Sequence, residues 1–213
     1  MLRCKLMLLG AVLFGSTIAT LSHAQTPNFD ALRYDNKYYL QCAANLANAS
    51  RFPGYKSDEG YIGMYQFDVH SAYKAGLCKA PVPQMRTGQL WRLCDFEGPI
   101  AKKYNINSQF ELRTAPNAAA AQTEMMRNLS VQYDDYIYAQ KYNRFFGKLI
   151  KGIPINSEIL RGILHKHGKA TLDAFMKDES VIDAYQQSVY STAKCMQNCM
   201  NMKGESWLCK ETE

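Results

Sequence analysis

The strongest constraint on this chain is its cysteine count read together with its first two dozen residues. Arg3 and Lys5 precede an apolar run, Leu6 to Phe14, broken only by Gly10. Ser22-His23-Ala24 then places small residues where a signal peptidase reads them. This pattern predicts a secretory signal over residues 1–24, cut after Ala24. The run is too short and interrupted for a membrane anchor. Cys4 leaves with the signal. Six cysteines remain: Cys42, Cys78, Cys94, Cys195, Cys199 and Cys209. An even number in an exported chain predicts three disulfides, with fifteen possible pairings. Cys78 and Cys94 flank a proline-containing segment that they could staple, and Cys209 could fold the tail back onto a Cys195/Cys199 helix. The rival is a metal site built from Cys195, Cys199, His165 and His167. No C-x-x-C pair exists and export favours oxidation, so no metal and no cofactor is expected. The expected location is the periplasm or the exterior.

The 213 residues suffice for one sizeable domain, expected over 25–213. A composition of 47% hydrophobic and 21% charged residues is that of a globular chain. The formal charge of +6 falls to +4 when Arg3 and Lys5 are removed. The basic residues are scattered, which argues against a nucleic-acid partner.

Hydrophobic spacing predicts a mainly α chain. Leu32, Tyr39, Cys42 and Leu46 mark a helix over about 29–48, followed by a turn-rich segment to Gly60. A short extended piece is predicted over 61–67 and a helix over 69–77, stopped near Gly76. A helical turn is predicted over 89–94. The longest helix is expected over 116–142, with the stripe Met125, Leu129, Tyr133, Tyr136 and Ile137. Residues 147–154 read as a turn. Asn156 or Ser157 caps a helix whose apolar face is Ile159, Leu160, Ile163 and Leu164, and Gly168 ends it. Short and long helices follow over 170–176 and 180–200. No helix–strand alternation of the parallel-sheet kind occurs.

The chemically most informative segment is Gly60-Tyr61-Ile62-Gly63-Met64-Tyr65-Gln66-Phe67. Tyrosine offers a flat apolar face with a polar tip, and glutamine offers donors and an acceptor to sugar hydroxyls or amides. The segment resembles the G-Y-x-G-x-Y-Q-F block of lysozyme-like peptidoglycan hydrolases. It is most similar to the phage- and type VI secretion-associated group, kin to soluble lytic transglycosylases. The helix after it, Ile106-Asn107-Ser108 through Gln122, and Lys148 through His165 resemble later blocks of that family in order and spacing, over about 43–175. Asn105 stands where glycine is usual, and Pro116-Asn117 is in swapped order.

The resemblance implies a lysozyme-like helical domain with a short β segment. Tyr61, Tyr65, Gln66, Gln122 and His165 would lie along a glycan cleft, with His165 expected to be packed or hydrogen-bonded rather than catalytic. The family's general acid, a Glu, lies about twelve residues before the opening glycine, and that position here is Asn48. An amide cannot protonate a leaving glycosidic oxygen. Asp58 and Glu59 border the same cleft, and Glu59 reaches further as a substitute acid. Asp95 and Glu97 have no motif support, and no G-x-S-x-G turn, P-loop or G-x-G-x-x-G is present. The first expectation is therefore an exported, catalytically degenerate protein that binds peptidoglycan glycan strands. The second is an active muramidase or lytic transglycosylase using Glu59. The third is a periplasmic inhibitor or immunity protein whose partner is a cell-wall hydrolase or secretion-system protein.

Overall fold

The computed structural model describes residues 37–47, 52–82, 88–177 and 184–203. Residues 1–24, Asn48 and Cys209 lie outside them, so the readings placed on those residues do too. Among the described residues the chain is mainly helical. Its elements are α1 (Lys37–Leu46), α2 (Val69–Ala75), a 3-10 turn (Gly88–Leu93), α3 (Pro99–Tyr104), α4 (Glu111–Thr114) and α5 (Ala118–Ala139). A second 3-10 turn (Tyr142–Phe145), β1 (Leu149–Ile150), β2 (Ile153–Pro154), α6 (Ser157–His167), α7 (Lys169–Met176) and α8 (Ala184–Asn201) complete it.

Helix α5 is the axis, and α2, α3, α4 and α6 all pack on it, while α8 closes over α6 and α1. The side of α5 that faces them buries Ala121, Met125, Met126, Leu129 and Ile137. These belong to one connected set of buried side chains running from Tyr39 to Cys199. Within it lies an ion pair. Arg161 on α6 donates from Nε and Nη2 to the two carboxylate oxygens of Asp134 on α5, at 2.8 and 2.5 Å. Both side chains are inaccessible to water, and the guanidinium also lies over the Tyr39 ring at 5.2 Å.

Cap chemistry sets the ends of α2 and α6. The Asp68 carboxylate accepts from Ser71 N at 2.6 Å, and Gly76 closes α2 in the left-handed region at φ 92°. Asn156 caps α6 by accepting from Ile159 N at 2.9 Å, and Gly168 follows at φ 81°. Two disulfides tie distant parts of the chain: Cys42–Cys199 joins α1 to α8, and Cys78–Cys94 staples the proline-containing segment. Cys195 is also disulfide-bonded.

Three expectations change. The long helix stops at Ala139 because Lys141 turns left-handed at φ 58°, and Tyr142 belongs to the following 3-10 turn. The segment 147–154 is a hairpin, in which Leu149 pairs with Pro154 and Ile150 with Ile153. Its turn residues Lys151 and Gly152 both have positive φ, as a two-residue hairpin turn requires. The short helices α3 and α4 had no periodicity long enough to announce them.

Candidate functional site

The loop from Phe52 to Phe67 folds as a tight double turn. Ile62 and Phe67 exchange both backbone hydrogen bonds, at 2.9 and 2.8 Å, and Gly63 N donates to Tyr55 O at 2.8 Å. Ile62 thereby bridges both Lys56 and Phe67 in antiparallel fashion. Gly63 and Gln66 both take positive φ, 80° and 53°. A methyl group on Gly63 would overlap the Gln122 carboxamide, so that position needs glycine for space as well as for backbone conformation.

Four side chains from four other elements brace this loop. Gln122 on α5 accepts from Met64 N at 2.9 Å and donates to Pro53 O and Leu112 O at 3.0 and 2.8 Å. It is fully buried, and its amide is occupied by the protein itself. Trp91 Nε1 donates to Gly60 O at 3.1 Å, and Arg113 Nε donates to Gly54 O at 3.0 Å. His165 on α6 holds Tyr65 O at 2.8 Å through Nε2, while its Nδ1 lies 3.2 Å from Tyr133 Oη. The carbonyl contact requires a proton on Nε2, and in the neutral ring Nδ1 then accepts from the Tyr133 hydroxyl. Burial lowers the His165 pKa in the same sense.

The residues expected to face a glycan therefore divide. Tyr65 is buried against Phe67, with ring centroids 5.7 Å apart. Burial pushes its phenol pKa up, while the Thr123 hydroxyl and the Arg127 charge pull the other way. Tyr65 and Gln122 are buried and hold the loop from inside, and half-buried His165 is engaged with the Tyr65 carbonyl. Tyr61 and Gln66 are half-buried at its surface, and Gln66 Nε2 donates to Gly63 O at 2.8 Å.

Glu59 is exposed. Its own backbone N–H and the Ser57 hydroxyl hydrogen-bond the carboxylate and lower its pKa. That is the opposite of the raised pKa a general acid needs, so its surroundings do not support the acid role expected of it. The rival metal set is likewise engaged elsewhere: Cys199 and Cys195 are in disulfides, and His167 Nε2 lies 2.8 Å from Thr192 Oγ1.

Sequence reasoning missed the aromatic residues that this loop turns outward. Phe52 is 63% exposed and Tyr55 is exposed beside it. The Phe52 ring lies over Gly54, where a Cβ would come within 2.6 Å of its Cε1. Phe110, also exposed, begins the turn that carries Arg113 to the same loop. The only sequence signal was their place in a turn-rich segment, where an aromatic residue has little core to enter.

Fold and loop together define a mainly helical, disulfide-linked protein with an internally braced aromatic loop. No protein-family model, curated protein or solved structure matches the chain.

Proposed function

We propose that this protein is exported and binds peptidoglycan glycan strands along the 52–67 loop without cleaving them. The observation that carries the reading is a rigid loop with outward aromatic rings. A flat ring held in place presents an apolar face to a pyranose without losing freedom on binding. Half-exposed Tyr61 and Gln66 add polar groups beside those rings. The resemblance of the G-Y-x-G-x-Y-Q-F block to lysozyme-like hydrolases names the same ligand class. Glycoside cleavage needs a neutral carboxylic acid at the leaving oxygen, and Glu59 is biased towards its ionised form. The disulfides suit an oxidising compartment, and no helix among the described residues is long and apolar enough to cross a membrane.

The test is sedimentation with purified peptidoglycan, alongside release of soluble fragments. The protein should sediment and release nothing above background. Phe52→Ala and Tyr55→Ala should each weaken binding about fivefold, from roughly 1 kcal/mol per ring, with little change in melting temperature. N-terminal sequencing of exported protein should begin at Gln25. Fragment release abolished by Glu59→Gln would establish the active enzyme instead. A folded protein that does not sediment would sink the binding reading.

A further inference from the structure

From Tyr136 to Ser157 the chain contains Lys141, Arg144, Lys148 and Lys151 and not one Asp or Glu. This stretch forms the last turn of α5, the second 3-10 turn and the β1–β2 hairpin. Lys141, Arg144 and Lys148 are exposed, and none of the three forms an ion pair among the described residues. Two of the charges are gathered by one ring: Arg144 Cζ lies 4.8 Å and Lys148 Nζ 5.6 Å from the centroid of Phe145. Next to Lys148, Leu149 is 69% exposed, while its neighbour Ile150 points into the core, as strand alternation requires. A leucine is thus held outward on a short, braced hairpin, in the stretch that carries the exposed charges of Lys141, Arg144 and Lys148.

We infer that this hairpin end is a docking surface for an anionic phospholipid bilayer. Charge complementarity selects an anionic partner. The outward leucine selects a layered one, with phosphates at the level of the cations and hydrocarbon beneath them. A soluble polyanion would engage the lysines and arginine and leave Leu149 in water. The surface is peripheral and adds no membrane-spanning element. It does not rest on the glycan reading, because the ligand and the residues differ.

The test is cosedimentation of the full chain with phosphatidylcholine vesicles with and without phosphatidylglycerol, at low and physiological ionic strength. Binding should need phosphatidylglycerol and weaken with salt. Each cation near such a surface contributes about fivefold, so Arg144→Glu with Lys148→Glu should weaken binding by at least about 25-fold. Leu149→Ser should weaken it by about three- to tenfold. Lys102→Glu, a like charge change on α3, should have little effect. All of these positions are exposed, so unfolding midpoints should match wild type. Binding indifferent to phosphatidylglycerol, or unchanged by the charge reversal, would overturn the inference. So would inorganic polyphosphate binding as tightly as the vesicles with Leu149→Ser silent, which would make the partner a soluble polyanion.

Discussion

Gly63 and Gln122 provide a quantitative test of how the loop is held. An alanine at position 63 carries two penalties. The first is backbone conformation: φ of 80° costs an L-residue about 1–2 kcal/mol. The second is overlap with the Gln122 carboxamide, relieved only if that amide withdraws from Met64 N, Pro53 O and Leu112 O. Buried groups left unpaired cost about 1–3 kcal/mol each, so the three lost contacts cost at least about 3 kcal/mol and Gly63→Ala at least about 4 kcal/mol in all. Gln122→Ala abandons the same three backbone groups and should cost at least about 3 kcal/mol. The two losses are largely one loss. With Gln122 already removed, the methyl at 63 has no carboxamide to displace, and its backbone term remains. The double variant should therefore lose little more than Gly63→Ala alone, at least about 4 kcal/mol against at least about 7 if the effects added, a coupling of at least about 3 kcal/mol. Urea unfolding without reductant, with a common slope for the four proteins, measures it. Additivity within experimental error would refute the reasoning and mean that Gln122 does not hold the turn.

Three other outcomes follow from the described contacts. His165 is held neutral, with its folded pKa below the unfolded value, so the unfolded chain binds its proton first as pH falls; the stability His165 contributes is present above about pH 6.5 and lost below it, and His165→Gln should flatten that part of the unfolding midpoint against pH. Peptide mapping of unreduced protein should return Cys42–Cys199 and Cys78–Cys94, leaving Cys195 to pair with Cys209. Opening Cys42–Cys199 should cost about 5 kcal/mol in the chain-entropy model, against about 3 kcal/mol for the shorter loop. Asp134→Asn leaves the buried Arg161 charge without its counter-charge and should cost about 3–5 kcal/mol, most of it recovered when Asp134→Leu is combined with Arg161→Met.

What was legible in the sequence had local causes. Gly76 ends α2 at Ala75, within two residues of the expected 69–77, because a left-handed stop acts on its own helix. Asn156 and Gly168 likewise bound α6. Cys78–Cys94 was readable because the two residues flank one loop, whereas Cys42–Cys199 spans 157 positions with nothing local to announce it. Arg161 and Asp134 look like surface charges in any window of sequence. Only the packing of α6 on α5 turns them into a buried pair. Gln122 shows the same limit at the candidate site. A glutamine amide suits a sugar hydroxyl and a backbone carbonyl equally well, and burial, which the sequence does not display, decides between them.

That ambiguity has a physical consequence for the whole G-Y-x-G-x-Y-Q-F block. Ile62, Tyr65 and Phe67 point inward, and Tyr61, Met64 and Gln66 lie nearer the surface. Such a block is recognisable because it encodes a turn shape, and the shape depends on the inward residues and on the glycine that admits Gln122. A chain can keep that shape while its acid is changed, since no inward residue of the turn has to be a proton donor. The block therefore speaks to the shape of the loop more directly than to catalysis. Substitutions should sort accordingly. Loss of glycan binding that tracks the unfolding midpoint, as expected for Tyr65→Ala, marks a residue that shapes the loop. Loss at constant stability, as expected for Phe52→Ala, marks one that touches the sugar.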